Sequence, residues 1–514
     1  MKLLKLADRT VSVLGILLFG ILTGLSLFST IYYSTQYNEP PRQISDLFFV
    51  VLVVCATFLF FMYRASEWIR RRENPEKWIR ILLAFVLSYT LCFCVLWVIG
   101  AGCIPVGDQL SVCRAAEGFR NGDFSMLTKD SYEKYLFIHP HQLGLTALIE
   151  LIFAVFGNGN FQAFEFLNCL GAVLCVYSGY RIVRLMAEEQ RARIYYLFLA
   201  AGCFPLFFYV TYVYGEIPSL AYSLAAAWMF LEYRKRRKVW GLLLCAFFGS
   251  LACLIRSNSM ILLIAFLCVL LVSGLGKRRW RAFAAAAFLV LALMASRFAL
   301  HGVYERRAGI TLNEGAPMIL YVAMGMQEGD GAPGWSNGYI LHAYWGASDF
   351  DGEKASAMAV EDIKTSLGKF RADPLYAGWF FREKFVSQWN DPSYECFTMT
   401  VTNGWPRIGV VNSMYVGKLN ALMIWFMNQY QSLIFGGVFL WLLYGFFREK
   451  ELEDHLLLIF ILGGFFFHTV WEAKGRYILP YFVAMLPMAA IGLSELSARA
   501  AALLRKYRGP EGIR

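Results

Sequence analysis

The chain is dominated by apolar stretches that are long enough to cross a membrane. A transmembrane helix needs about 20 mostly apolar residues, and the 514-residue sequence contains twelve candidates: 11–33, 46–63, 79–102, 162–184, 194–214, 217–233, 239–255, 257–275, 280–300, 429–447, 455–471 and 476–497. Hydrophobic residues make up 58% of the chain and charged residues 17%. Because one soluble core cannot bury so much apolar surface, this composition excludes a water-soluble enzyme and a disordered protein. We predict an all-α polytopic membrane protein with about 12 transmembrane helices.

Basic residues indicate which loops face the cytoplasm. Short cytoplasmic loops are enriched in Lys and Arg, and basic clusters occur at both termini and at 64–80, 181–193, 234–238 and 277–281. All of them fall on one side only if the apolar stretch 141–157 does not span, so we interpret it as an interfacial or re-entrant helix. The pattern predicts a multi-pass protein of the cell membrane with both termini in the cytoplasm. The net charge of +11 then reflects topology and not nucleic-acid binding.

Two long segments, 103–161 and 301–428, are then predicted to face outward. The second contains two amphipathic helices, one near 353–371 and one that begins at Asp373-Pro374. These helices fit the membrane surface, and they equally fit a small outer lobe that packs on its own apolar faces. Most of the twelve cysteines lie in apolar stretches, where Cys behaves as a small hydrophobe. Cys103 and Cys113 are the candidates for a disulfide bond in the first outer segment.

Charged and polar residues recur where the spans meet the outer segments. Asp108 directly follows a span, where it either caps the next helix or serves as a base of raised basicity. His139 and His141 open the interfacial stretch and are either phosphate or proton-transfer groups, or polar residues at the headgroup boundary. Later span ends carry Glu216, Arg256, Glu472, Lys474 and Arg476. Together these side chains can hold an anionic lipid headgroup with cations and activate an acceptor with a carboxylate.

An Asp just after a span, a following helix, and His139-Pro140 at the start of an apolar run that ends in "FG" resemble the GT-C superfamily of membrane glycosyltransferases. The most similar group is the protein O-mannosyltransferase-like and aminoarabinose-transferase-like branch. The resemblance is best over 79–260, and "WEAKGRY" at 471–477 is a weaker similarity. It implies four parts: an additional N-terminal transmembrane hairpin with a basic cytoplasmic loop (1–78), a GT-C-like core with the first outer loop (79–300), an outer loop lobe (301–428), and C-terminal transmembrane helices with a basic cytoplasmic tail (429–514).

The resemblance also implies a reaction. A hexosyl or pentosyl group would move, with inversion, from a polyprenyl-phosphate-linked donor to a glycan, lipid or protein acceptor outside the cytoplasmic membrane. Asp108 matches the first acid of the family's Asp-Glu motif, although Gln109 follows it, and Glu216 matches another outer acid. The resemblance implies that these two acids are catalytic and that His139, Arg256 and Arg476 lie near the donor phosphate. With His141, Glu472 and Lys474, which lie at the same outer boundary, they form the predicted substrate-binding set. Some relatives use a divalent cation such as Mg²⁺ or Mn²⁺, for which Asp108 and Glu216 are the candidate ligands.

Two other classes fit a similar topology. A transporter or flippase of lipid-linked sugars would also have about a dozen spans, but it would more often show paired repeats and helices broken near the middle of the bilayer. The sequence shows no clear repeat, and its polar residues gather at span ends on one side. A polysaccharide polymerase or ligase would also keep a large outer loop and basic residues, and it would use a diphosphate-linked donor.

Overall fold

The computed structural model describes residues 2–33, 41–329, 331–401, 408–448 and 450–508. Residues 509–514 of the predicted basic tail, and the side chains of Arg505 and Arg508, lie outside this description. Nearly all regular structure in the described part is α-helical, which confirms the predicted class. The first third of the chain forms α1 (Lys2–Phe28), β1 (Ser29–Tyr32), β2 (Arg42–Ser45), α2 (Phe48–Arg70), α3 (Pro75–Ala101), α4 (Asp108–Arg120), α5 (Tyr135–Ile138), α6 (Leu143–Phe156) and α7 (Phe161–Met186).

The rest of the described chain adds fourteen α-helices, which include the two that the sequence predicts in the outer lobe. The middle third forms α8 (Gln190–Ala201), α9 (Phe204–Phe208), α10 (Glu216–Arg236), α11 (Val239–Ile255), α12 (Met260–Lys277) and α13 (Trp280–Ala308). The last third forms α14 (Ile319–Gly325), α15 (Gly352–Ala372), α16 (Pro374–Trp389), α17 (Cys396–Thr400), α18 (Gly409–Val416), α19 (Lys418–Gly445), α20 (Leu456–Val470) and α21 (Leu479–Arg508).

Helices occur at all twelve predicted spans, but they differ in length and apolar character. Within the described ranges, eight helical segments are long and apolar enough to cross a membrane. Six are α1, α2, α3, α7, α13 and α21, and two are α12 and α20, each together with the 3₁₀ turn before it (Ser257–Lys277 and Leu452–Val470). The bent pair α8 and α9 makes nine if it counts as one span. α11 has only 17 residues, and α10 and α19 are long enough but less apolar. The full count of twelve spans therefore stays a prediction.

The basic loops meet at one end of the bundle, as their charges predicted. Ion pairs join loops that are distant in sequence: Arg191 with Glu67 at 2.7 Å, Arg193 with Glu76 at 2.5 Å, Arg234 with Glu453 at 3.2 Å and Lys277 with Glu451 at 2.5 Å. The stretch predicted to be interfacial forms α6, whose 14 residues rise about 21 Å, less than the roughly 30 Å of a hydrocarbon core. Which side of the membrane each end faces stays a prediction.

The predicted N-terminal hairpin is packed into the bundle. α1 packs against α19, α12 and α20. Between α1 and α2 lies an antiparallel strand pair, β1 with β2, which the sequence did not predict. This strand pair docks on the end of α16, where the Asn390 side chain donates to the Ser29 carbonyl at 2.9 Å and Ile31 N–H donates to the Asn390 carbonyl at 3.2 Å.

The outer lobe is a packed unit with its own core. Ala355 and Ala359 of α15 are buried against Leu320 of α14 and Tyr344. Of the two interpretations of α15, the structure therefore favours a lobe that packs on its own apolar faces. Asp373 caps α16 as predicted, and its carboxylate accepts from Leu375 N–H and Tyr376 N–H, each at 3.0 Å. α13 runs to Ala308 and α19 begins at Lys418, so both helices extend into the predicted lobe 301–428. The division of the chain into four parts stays a prediction.

The candidate disulfide bond between Cys103 and Cys113 does not form. The Cys103 thiol donates to the Thr400 carbonyl at 3.1 Å. Cys113 is buried in α4, and this burial, with the Glu117 carboxylate, raises its pKa to about 12. Both side chains are therefore part of the packed interior, where Cys behaves as a small hydrophobe.

Candidate active site

A cavity of about 400 Å³ opens at the end of the bundle opposite the ion-paired loops. Its wall is made by residues from segments that are far apart in the sequence: 108–142, 214, 256–258, 318–345 and 471–477. These segments follow or precede the helices that carry them to this end, including α3, α11 and α20. A volume of this size lies within the usual range of about 300–1,000 Å³ for small-molecule sites.

The cavity brings together seven of the eight side chains singled out in the sequence. They are Asp108, His139, His141, Arg256, Glu472, Lys474 and Arg476. The eighth, Glu216, is 1% exposed and does not line the cavity. The structure therefore supports the predicted grouping, while the part each residue plays in a reaction stays a prediction.

Asp108 does not cap a helix. The cap position of α4 is Gly107, whose φ of +55° favours glycine, and Asp108 is the first helical residue with no side-chain capping bond. Its side chain is exposed on the cavity wall. The capping interpretation is wrong, and the carboxylate remains available for chemistry.

Gln109, the residue that departs from the family's Asp-Glu pattern, has a structural role. It is 4% exposed, and its side-chain oxygen accepts from Val213 N–H at 2.9 Å. This bond fixes the turn between α9 and α10 against the start of α4. A neutral amide can make this bond without a buried charge, which is costly when unpaired.

The two histidines are neutral members of the wall. His139 Nδ1 lies 3.1 Å from the Tyr321 hydroxyl, and the two imidazole rings are 5.7 Å apart. Both rings are half-buried, with access only through the cavity. Burial lowers the pKa of His139 to about 4, and burial together with the neighbouring His139 lowers the pKa of His141 to about 3. At neutral pH they can donate or accept hydrogen bonds but supply no positive charge.

Glu216 lies behind the wall and faces Arg256. The Arg256 guanidinium and the Glu216 carboxylate form an ion pair in which both side chains are buried or nearly so. Burial lowers the pKa of Arg256, but Glu216, together with Tyr477 and Tyr214, more than offsets this, and the net pKa is raised. The Glu216 carboxylate is engaged by Arg256, and Arg256 is the residue that reaches the cavity. A catalytic role of Glu216 therefore stays a prediction.

The turn between α20 and α21 supplies the other charges. Arg476 is 7% exposed and donates to the Tyr212 hydroxyl. Burial lowers its pKa, but its neighbours, of which Tyr212 has the largest effect, raise it well above the usual value. Glu472 accepts from the Tyr477 hydroxyl at 3.1 Å. With Lys474, the turn presents two cations and one carboxylate to the same cavity as Asp108.

Aromatic rings complete the wall. Tyr321 and Trp471 stack with ring centroids 5.2 Å apart and an interplanar angle of 4°, and Phe467 stacks on Trp471 at 4.7 Å. On the other side, the hydroxyls of Tyr135 and Tyr214 lie 2.8 Å apart. The rings make much of the cavity surface flat and partly apolar.

Sequence reasoning missed these aromatic residues. Tyr321 lies in the outer lobe, where the resemblance to the family is loosest, and Trp471 was read only as part of "WEAKGRY". The available signal was that Tyr and Trp are enriched at membrane interfaces. That signal does not distinguish a ring in a cavity from a ring in a lipid belt.

Asp108 and Glu216 do not fit a shared site for a divalent cation. Only Asp108 lines the cavity, and the Glu216 carboxylate is paired with Arg256. Throughout the described ranges, no group of three or more His, Cys, Asp and Glu side chains is placed to hold a metal ion.

Residues 139–300 match the family model described as "Dolichyl-phosphate-mannose-protein mannosyltransferase". The match supports a membrane glycosyltransferase of the GT-C type with a lipid-linked donor. It covers less than a third of the chain, beginning at His139 and including Arg256 but neither Asp108 nor the turn 471–477. No curated protein matches the chain.

Proposed function

We propose that this glycosyltransferase moves a sugar from a polyprenyl-phosphate-linked donor to a hydroxyl of an acceptor outside the cytoplasmic membrane. The observation that carries the proposal is the convergence of one exposed carboxylate, Asp108, and three cations, Arg256, Lys474 and Arg476, on one cavity. A transferase of this kind needs a base for the acceptor and positive charge for the leaving phosphate, and the cavity offers both.

Asp108 is the proposed general base. It accepts the proton of the acceptor hydroxyl as that oxygen attacks the anomeric carbon. The bond between the anomeric carbon and the phosphate oxygen breaks on the opposite face, so the configuration inverts and both bonding electrons leave with the phosphate. General-base catalysis contributes typically about 10²- to 10⁴-fold to the rate.

Arg256, Lys474 and Arg476 are proposed to bind the polyprenyl phosphate and to stabilise the charge that it gains. The two guanidinium groups are buried and remain charged, and an oriented cation in such a place stabilises developing charge better than one in water. Glu216 keeps Arg256 in place. His139 and His141 contribute neutral hydrogen-bonding groups to the bound sugar or phosphate.

The mouth of the cavity is suited to a lipid. Three large apolar residues of the wall remain well exposed: Met318 at 53%, Leu341 at 48% and Trp345 at 43%. Apolar surface beside the charged residues lets the polyprenyl chain stay in the bilayer while its phosphate enters the cavity. The stacked Tyr321 ring is proposed to pack against the apolar face of the sugar.

The finer assignment to the protein O-mannosyltransferase-like and aminoarabinose-transferase-like branch is also part of this proposal. It rests on the similarity of "HP" and the preceding Asp, and it implies a monophosphate-linked hexose or pentose as donor. The acceptor is a glycan, a lipid or a protein of the cell envelope. Both termini are proposed to be cytoplasmic, because the basic loops gather at the end opposite the cavity.

The direct test is a transfer assay with purified protein in lipid nanodiscs. Polyprenyl monophosphate sugars and polyprenyl diphosphate sugars, each labelled in the sugar, are offered with cell-envelope acceptors. We expect label in the acceptor from the monophosphate donors only. Transfer from diphosphate donors alone would indicate a polymerase or ligase. Movement of the donor across proteoliposome membranes without any transfer would indicate a flippase.

A further inference from the structure

The turn 471–477, which we call the site loop, carries Glu472, Lys474 and Arg476 into the cavity. It lies between α20 and α21 and is extended at Lys474, with φ −160° and ψ 148°, before a single 3₁₀ turn at Gly475–Tyr477. An extended segment cannot satisfy its own backbone N–H and C=O groups. Its position must therefore be set by partners elsewhere in the molecule.

One such partner is Glu395, just before α17. Its side chain is buried, at 2% exposed, and its Oε1 accepts from Gly475 N–H at 2.6 Å. Burial raises the pKa of Glu395, whereas the charges of Lys474 and Arg476 beside it lower it, and the net pKa is raised. Glu395 does not line the cavity. It contacts the loop from behind, at the residue between the two cations.

A second partner, Lys384 of α16, holds the beginning of the loop. Its side chain is 1% exposed. The ammonium group donates to the Trp471 carbonyl at 2.8 Å and to the Gly325 carbonyl at 2.5 Å. It thereby ties the first residue of the site loop to the end of α14, the helix that carries Tyr321 into the cavity wall.

Glu395 is itself held in an unusual backbone conformation. Tyr394 and Glu395 have φ values of +50° and +60°, which non-glycine residues seldom adopt. The Asp391 carboxylate supports this turn, since it accepts from Glu395 N–H at 2.8 Å and from Ser393 N–H at 2.8 Å. Sparsely populated backbone conformations persist only where surrounding bonds over-determine them, and they cluster at functional sites.

The approach of the loop to this turn requires glycine. A Cβ atom on Gly475 would lie 2.7 Å from Asp391 Oδ2 and 3.3 Å from Glu395 Oε1. A side chain at 475 would therefore push the loop away from Glu395 while leaving both carboxylates in place. This gives a second way to disturb the contact that does not remove a buried charge.

We propose that Lys384 and Glu395 are positioning residues that hold the two ends of the site loop so that Lys474 and Arg476 face the donor phosphate. Neither residue touches substrate. The inference rests on the proposed function for the identity of the ligand, but the contacts that carry it belong to the loop. It extends the active site beyond the residues that the family similarity indicates, to a segment, 384–395, that contains none of the site residues predicted from the sequence.

The test compares Glu395→Ala with Glu395→Gln in the full-length protein. The amide oxygen of Gln can still accept from Gly475 N–H, so we expect Glu395→Gln to keep most of the activity. Glu395→Ala should lower kcat/KM for the donor about 10- to 100-fold, because a displacement of about 1 Å can cost that much. Glu165→Gln is the matched control, since Glu165 is an equally buried acid that makes no contact with the loop.

A merely structural role predicts a different pattern. Then Glu395→Ala would lower the melting temperature and the yield of folded protein, while the folded fraction would keep its KM for the donor. That result, or an unchanged kcat/KM, would overturn the inference.

Gly475→Ala provides an independent check and should also raise KM for the donor. Lys384→Met combined with Glu395→Ala should cost less than the product of the single effects, because both act on the same loop.

A readout without activity separates this inference from the proposed function. Trypsin cleaves after Lys474 and Arg476 only if the loop leaves its place. We expect faster cleavage there in Glu395→Ala than in the wild type and in Glu165→Gln, and equal rates would contradict the role of Glu395. If the wild type transfers no sugar from any donor, the proposed function fails while this test of the loop still stands.

Discussion

The two halves of the cavity wall are built in different ways. The early half, with Asp108, His139, His141 and Arg256, comes from the ends of bundle helices and from the turns beside them. The late half, with Tyr321 and the site loop, comes from the outer lobe and a turn held by buried side chains of the segment 384–395. The early half overlaps the residues that match the family model, and the late half lies outside them.

This difference shows how the proposed chemistry is divided. The early half supplies the only exposed carboxylate at a helix start, two neutral histidines and one ion-paired arginine within the described residues of the wall. The late half adds two cations and the aromatic platform. The proposed base lies at the start of a helix, whereas much of the positive charge proposed for the phosphate is placed by tertiary contacts. Substitutions in the two halves of the wall should therefore affect sugar transfer in different ways.

The largest effect is expected in the early half, from Asp108→Asn. The amide cannot accept the acceptor's proton, so transfer should fall by about 10²- to 10⁴-fold with little change in KM for the donor. Asp130→Asn, a change at an exposed acid of the same outer segment, should leave transfer unchanged. Near-normal activity of Asp108→Asn in the nanodisc assay would remove Asp108 from the mechanism.

In the late half, Arg476→Met should lower kcat/KM for the donor by about 10²-fold, because it removes one oriented cation from the leaving phosphate. The loss should appear in donor binding as well as in kcat. Arg371→Met, at an exposed position of α15, is the control. An effect on the acceptor's KM alone would mean that Arg476 binds the acceptor and not the donor.

A substitution can decide whether Glu216 only holds Arg256 in place or takes part in the reaction itself. If it only holds Arg256, Glu216→Gln should lower kcat/KM for the donor by about 10-fold, the equivalent of about 1.4 kcal/mol, and by no more than Arg256→Met does. Glu232→Gln is the matched control for Glu216→Gln, since Glu232 is a buried, ion-paired acid at the other end of α10. This control variant should affect stability only. A collapse of kcat in Glu216→Gln would restore a catalytic role.

A smaller effect is expected from the aromatic platform. Tyr321→Leu removes the flat ring, and we expect a loss of about 2- to 10-fold in kcat/KM, in keeping with about 0.5–1.5 kcal/mol for an aromatic contact. Tyr321→Phe keeps the ring and loses only the hydroxyl near His139, so it should be closer to the wild type. If Phe were as damaging as Leu, the hydroxyl and not the ring would be the important group.

The smallest effect concerns stability against pH. The folded pKa values of His139 and His141, about 4 and about 3, lie below the ordinary value of about 6.5. Between the folded and the ordinary pKa values, the unfolded chain therefore binds more protons than the folded chain. The contribution of the two histidines to stability is complete above about pH 6.5 and is lost as the pH falls towards 4. The melting temperature should drop over this range, and it should drop less in the double variant His139→Gln/His141→Gln. Identical pH profiles would show that neither histidine is buried as described.

The sequence predicted the helical class, the common end of the basic loops, the two lobe helices and the grouping of seven site residues. These follow from local composition and from the alternation of apolar runs with charged loops, which decides where each helix begins and ends. It predicted a disulfide bond and a capping aspartate as alternatives, and both failed because side-chain packing and the φ of Gly107 decided otherwise.

What only the tertiary structure decided is which charges meet. Glu216 and Arg256 look alike in the sequence, as charged residues at span ends, yet one lies behind the wall and the other lines it. Lys384 and Glu395 carry no local signal, because their partners are backbone groups some 80 residues away along the chain. Hydrophobic pattern determines where a helix ends, since burial depends on composition, but the contacts that orient a turn depend on distances in space that no local pattern records.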